Sequence, residues 1–144
     1  MGIVCPCGVR VNAVSQQNRV KFEGVPGTVC GTITYTADVC VSTPGSSRLI
    51  LRFVDTENNG AQSFTFTATS FKQVTCCKED YRCDVTIRGT GIINGITYGF
   101  QAIFSDYSKM AKADVVKEFE IYDFFDQLGA APVKQGSIVA RGCK

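Results

Sequence analysis

Eight cysteines are the most reactive side chains of this 144-residue chain, and histidine is absent. A thiolate can serve as a nucleophile, a metal ligand or half of a disulfide. Nucleophilic catalysis needs a base beside the sulfur, usually histidine. A zinc site needs a second C-x-x-C or a histidine pair. A redox pair needs two intervening residues and a helix start. The cysteines stand as Cys5-Pro6-Cys7, Cys30, Cys40, Cys76-Cys77, Cys83 and Cys143. This spacing favours cross-linking. Metal binding at C-P-C or unpaired thiols are the alternatives.

Other chemistry is thin. Glu79, Asp80 and Asp84 read as a solvated turn rather than an acid pair. The glycines at Gly89 and Gly91 precede no helix, so they form no phosphate loop. The aromatic residues fall on apolar faces and are not interleaved with lysines, which argues against a nucleic-acid platform. No catalytic residue, cofactor or metal ligand is expected, and the reading is not an enzyme.

The elements that position the cysteines are strands. Val29–Val41 alternates strictly, with Val29, Ile33, Tyr35, Ala37, Val39 and Val41 on one side. Cys30 and Cys40 fall on the other, threonine-lined side, about 33 Å apart along a straight strand. A disulfide needs Cα atoms within about 4.4–6.8 Å, so each requires a partner from elsewhere. The nearest mobile donors are Cys5 and Cys7 on an extended N-terminal arm and Cys143 on the C-terminal tail. In an extended arm Cys5 and Cys7 would face the same side. Cys30, Cys40, Cys5, Cys7 and Cys143 are therefore the candidates for bridges between subunits. Adjacent Cys76 and Cys77 point to opposite faces and should have different partners. Cys77 and Cys83 are close enough for one internal bridge, and Cys76 stays unassigned.

The rest of the chain supports an all-β reading. Short alternating segments at Val9–Val14 and Arg19–Glu23 flank a polar turn at Ser15–Asn18. Gly24–Gly27 and Thr43–Ser47 are turns, with a strand at Arg48–Asp55 between the latter and the next hairpin. Asn58-Asn59-Gly60 closes that hairpin with Ala61–Thr69. Tyr81–Gly91 and Gly95–Ser105 form another, with Asn94-Gly95 supplying a type I′ turn. Val115–Tyr122 reads as a strand with Phe119 and Ile121 inward, although its spacing also fits a helix. Asp106–Ala113 is a polar loop, Phe124-Phe125 plugs one end of the core, and Gly136–Ala140 is the last strand. About nine short strands with regular turns predict a sandwich or barrel. The expectation is a single jelly-roll-like β-sandwich of about 8–10 strands, with residues 1–8 as a connector arm and 9–144 as the domain.

A chain of this length buries enough surface to fold without staples, so eight cysteines exceed what folding requires. The net charge of +2 argues for neither nucleic acid nor membrane. Residues 1–22 carry Arg10, Arg19 and Lys21 without an acid, and 113–132 carry five acids against Lys117, a pattern that could steer subunits together. No apolar run is long enough to span a membrane, so no membrane insertion is expected. Met1–Cys7 lacks the basic start of a signal peptide, while the cysteine count points to an oxidising destination. Oxidation after release, or a leader replaced by Met1, would reconcile the two.

From R-G-T-G-I-I-N-G-I-T-Y-G-F through D-V-V-K-E-F-E-I to Q-G-S-I-V-A, the chain resembles a non-catalytic β-module of secreted bacterial proteins. There Gln135 replaces the first glycine of G-G-S-I-V. More loosely, the design resembles endospore appendage pilus subunits of Bacillus-type bacteria, which are single β-sandwiches with a cysteine-bearing N-terminal connector. Those connectors usually carry adjacent cysteines, where this chain has Cys5-Pro6-Cys7. The resemblance implies docking of that arm on neighbouring subunits, with Cys30, Cys40 and Cys143 as acceptors. The leading expectation is a self-assembling, disulfide-cross-linked filament subunit at an extracellular or spore surface. A secreted, monomeric binding module with internal bridges is the alternative from another class, and a thiolate metal binder is a third.

Overall fold

The computed structural model describes residues 5–108 and 113–143. Met1–Val4 of the expected arm, residues 109–112 of the expected loop and Lys144 lie outside the described residues.

Ten strands follow in chain order: β1 (Gly8–Phe22), β2 (Val29–Cys40), β3 (Arg48–Asp55), β4 (Phe64–Glu79), β5 (Arg82–Ile93), β6 (Ile96–Tyr107), β7 (Ala113–Ile121), β8 (Phe125–Gln127), β9 (Ala131–Lys134) and β10 (Ile138–Arg141). From β1 to β8 each strand pairs antiparallel with the next. β8 then pairs β1, Phe125 opposite Phe22 and Gln127 opposite Val20, which closes the sheet. The expected jelly-roll sandwich is thereby corrected to a closed up-and-down barrel. The sequence signature could not separate the two, because both architectures bury alternate residues of short antiparallel strands. What decides is β8. It is only three residues long, yet it hydrogen-bonds to strands on both sides and leaves no seam between two sheets.

At the other end of the junction between β7 and β1, two further strands do the covering. β9 lies on β7, and β10 lies on the first residues of β1. The region expected as the last strand is thus β10, and Ala113–Ile121 is a strand rather than a helix.

The two segments expected around Ser15–Asn18 are one strand interrupted by a bulge. Gln17 adopts a positive φ of 53°. The extra residue changes which parity faces inward. Val9, Val11 and Ala13 are buried before it, and Val20 and Phe22 after it. Asn94 and Gly95 both have positive φ, 49° and 80°, as a two-residue type I′ turn demands.

The interior is packed solid. Tyr35, Phe66, Phe100, Phe104 and Phe119 are fully buried and fill the lumen that an eight-stranded barrel could otherwise offer a ligand. Buried Gln127 pins the short closing strand. Its Nε2 donates to the carbonyls of Val116 and Gly129 at 3.0 Å each. Its Oε1 accepts from the Tyr35 hydroxyl across the barrel. Burial pushes the Tyr35 phenol well above its ordinary pKa, so it stays a donor. The outer face carries Arg10, Arg19, Lys21, Arg52 and Lys72 among threonines. That apolar-in, polar-out pattern is the reverse of a membrane-spanning barrel. No helix among the described residues is long and apolar enough to cross a membrane.

Candidate functional site

Seven of the eight cysteines, all but Cys30, converge on one mouth of the barrel, where β1 begins, β2 and β6 end, and the β4–β5 hairpin projects. Three bridges form there: Cys5–Cys40, Cys7–Cys76 and Cys83–Cys143, with Cα separations of 5.9, 5.8 and 5.8 Å. All three separations suit a disulfide. The arm and the tail are thus both riveted to the strands that they cross.

This placement reassigns the expected partners. Cys5, Cys7, Cys40 and Cys143, expected to bridge subunits, are closed within the chain. Cys5 and Cys7 do not face one way, because the chain bends at Pro6-Cys7 as it crosses the rim. Cys5 meets Cys40 on the threonine-lined face of β2, whereas Cys7 reaches Cys76, which packs against the core. The pair therefore forms no metal half-site. No group of three or more metal-ligating side chains converges among the described residues.

The expected Cys77–Cys83 bridge is also corrected, by sheet parity. Cys77 stands opposite Asp84, and Cys83 opposite Lys78. Cys77 therefore shares the outer face with Asp84, and Cys83 points to the inner one. Sequence proximity could not reveal this, since a hairpin brings the two near while turning them apart. Cys76 and Cys77 do differ in fate: Cys76 is bridged, and Cys77 is a free, exposed thiol.

The tail fits against the arm closely. A Cβ on Gly142 would collide with the carbonyl of Pro6, and its φ of +101° favours glycine besides. Two carboxylates hold the strand leading to that tail. Asp114, fully buried, accepts from the backbone N–H groups of Tyr107, Gly136 and Ile138 at 2.9, 2.8 and 3.1 Å. Asp106 accepts from the Ala140 N–H at 2.8 Å. Burial, with a smaller push from Asp114, raises the Asp106 carboxyl above its ordinary range despite that bond. Sequence reading missed both residues. The available signal was parity: Asp114 occupies the inward register with Val116.

On the outer face of the same end, Asp84 gathers Arg82 Nε at 3.1 Å, Ser105 Oγ at 2.6 Å and Lys117 Nζ at 3.4 Å. Burial works against the charge, but Ser105 and the two cations outweigh it and hold the carboxyl below its usual range. Asp84, expected in a solvated turn, is instead a strand residue whose carboxylate is engaged by these three neighbours. Glu79 lies 3.6 Å from the Cys77 sulfur and raises that thiol's pKa.

The opposite mouth contains no bridge. Phe22 packs edge-on against Phe53, Phe64, Phe124 and Phe125, with ring centroids 5.5–5.7 Å away. A groove of about 600 Å³ beside them is lined by Lys21, Glu23, Glu120, Asp123 and Asp126. Burial first, and neighbouring acids second, raise the Glu120 and Asp126 carboxyls. The expected contrast between a basic N-terminal and an acidic C-terminal stretch is partly local here, because Lys21 stands opposite Asp126 in the β1–β8 pairing. Cys30 lies at this end. It is half-buried and free, next to Arg19 across the β1–β2 pair. Its backbone N–H donates to Glu57 Oε1 at 2.6 Å.

No protein-family model matches the chain, and neither a curated protein nor a solved structure matches it at a significant level.

Proposed function

We propose that this protein is a non-catalytic structural subunit that operates in an oxidising exterior and associates with copies of itself. One observation carries the reading. With the lumen filled and three pairs of cysteines closed, the two thiols left over stand at opposite ends of the barrel. Three bridges in one small domain suit an extracellular or spore-surface location. The arm cannot be a covalent connector while Cys5 and Cys7 are bonded to their own chain, so assembly must use other contacts. Negative-stain microscopy of the oxidised, purified protein tests the proposal. Fibres or regular oligomers support it, and a monodisperse field of single barrels overturns it.

A second reading, the secreted monomeric binding module, draws on the same bridges. Six of eight cysteines close within the chain, as in a domain stapled for stability rather than for assembly. Its ligand would have to sit on a surface groove, because the barrel interior is occupied. Sedimentation as a monomer at high concentration would favour it.

A further inference from the structure

We propose that copies of this chain join head to tail through a disulfide between Cys30 of one copy and Cys77 of the next. This rests on the self-association put forward above and names its joint.

All eight cysteines lie among the described residues, and only Cys30 and Cys77 are unpaired. They cannot pair with each other. Cys30 is level with Thr56, whose N–H donates to its carbonyl at 3.1 Å, at the end of the barrel where β4 begins. Cys77 lies near the far end of β4, more than a dozen residues past Phe64. At about 3.3 Å per residue this places the two sulfurs roughly 40 Å apart. A disulfide between them must therefore connect two molecules. A link between unlike ends is heterologous, so it repeats from copy to copy and builds a filament wherever the rotation between copies does not close a ring.

The surroundings of the two thiols are complementary. Cys77 sits on the stretch of β4 that outruns β3. The β3–β4 pairing ends at Ile50 opposite Thr67, so the following residues of β4 pair with β5 alone. Among the described residues no strand pairs with this edge of β4, although the Cys7–Cys76 bridge anchors the arm next to the thiol. Glu79 is the nearest charge to the Cys77 sulfur, with Arg82 engaged by Asp84. At Cys30 the cross-strand neighbour is Arg19, whose Nη1 donates to Thr28 at 3.2 Å, while Glu57 is engaged by the Cys30 N–H. Arg19 of one copy would meet Glu79 of the next. That contact would also relieve the carboxylate that suppresses the Cys77 thiolate.

The chemistry requires a two-electron oxidant, for which a low-molecular-weight disulfide serves. The Cys77 thiolate attacks it, forming a mixed disulfide and expelling one thiolate. The Cys30 thiolate of the neighbour then attacks the Cys77 sulfur and expels the second. One sulfur–sulfur bond is formed, one is broken, and two small thiols leave with the two protons and two electrons.

The test uses the full chain in oxidised and reduced glutathione, mixing isotopically light and heavy protein before non-reducing peptide mapping. The expected result is a ladder on a non-reducing gel with Cys30–Cys77 peptides that join light and heavy chains. Cys30→Ser and Cys77→Ser should each stop at dimers or below, and mixing the two variants should give chiefly the heterodimer. Arg19→Glu should slow coupling roughly ten-fold, through loss of electrostatic attraction, and Glu79→Arg in the partner should restore it. Absence of cross-links, equal amounts of Cys30–Cys30 and Cys77–Cys77, or indifference to the charge reversal would overturn the joint. Micrographs separate its failure from that of the underlying reading. Fibres from the Cys30→Ser/Cys77→Ser double variant, identical to wild type, overturn the joint alone; single barrels from the wild type overturn both.

Discussion

At the bridged mouth, the chain termini cross the rim and are held by Cys5–Cys40, Cys7–Cys76 and Cys83–Cys143. At the opposite mouth, Phe22, Phe53, Phe64, Phe124 and Phe125 interlock without a covalent bond. Both cover an opening of the same sheet. The first depends on redox conditions and acts largely by restricting the unfolded chain. The second depends on buried apolar area and on ring geometry, so reductant should leave it untouched. The difference has a sequence origin. The aromatic mouth is made by residues inside or next to strands, whereas at the bridged mouth the described ends of the chain, residues 5–7 and 141–143, have little apolar side chain to bury besides their cysteines.

The largest expected effect is loss of all three bridges. They close loops with sequence separations of 35, 69 and 60. Each is worth roughly 4 kcal/mol in the chain-entropy account, less in combination because the loops overlap. Reduction should lower the melting temperature strongly. Hydrogen exchange should accelerate first at the start of β1 and in β10, with the strand ends around Phe22 and Phe64 protected longest. Uniform loss of protection would erase the proposed contrast between the ends.

Next in size is Phe22→Ala, which removes the ring at the centre of the aromatic mouth. A loss of about 3–5 kcal/mol is expected, and it should be the same before and after reduction. Denaturant melts under both conditions check this. Coupling between the two perturbations would mean that the ends are not independent.

How much of this was legible in the sequence follows from what alternation can and cannot encode. The faces of β2, the Asn94-Gly95 turn and the plugging role of Phe124-Phe125 are local patterns, and the structure has them. Closure was not legible, because it depends on Phe125–Gln127 meeting Val20–Phe22 across the whole length of the chain. The partners of Cys5, Cys7 and Cys83 were hidden for a related reason. They are set by parity across non-neighbouring strands and by a bend at Pro6-Cys7. The bulge at Gln17 shows the same limit, since one inserted residue reverses every later face of β1.

A smaller effect should come from Tyr35→Phe, which leaves the Gln127 Oε1 buried without its donor. A cost of about 1–3 kcal/mol is expected. It belongs to the middle of the barrel, so it should add to either end's perturbation without coupling to them. A double-mutant cycle with Phe22→Ala measures this, and a large interaction term would place Tyr35 within the aromatic mouth instead.

The smallest effect concerns acid. Asp55 ends β3 at the aromatic mouth and accepts from the N–H groups of Glu57, Asn58 and Gln62 at 2.8, 3.0 and 3.1 Å. Burial alone would raise its carboxyl, but those bonds outweigh it and hold the pKa below the ordinary 3.8. A depressed folded-state pKa means that the stabilisation is present above the ordinary value and is lost as pH falls through the folded one. Asp55→Asn should therefore flatten the acid limb of the stability curve. An unchanged limb would show that the loop does not depend on the charge.

Disulfide mapping of the isolated, non-reduced protein, after alkylation of free thiols, tests the central assignment most directly. Cys5–Cys40, Cys7–Cys76 and Cys83–Cys143 are expected within one chain, with alkylation of the monomer confined to Cys30 and Cys77. Cys5 or Cys7 bonded to a second chain, shown by mixing light and heavy protein before oxidation, would contradict it.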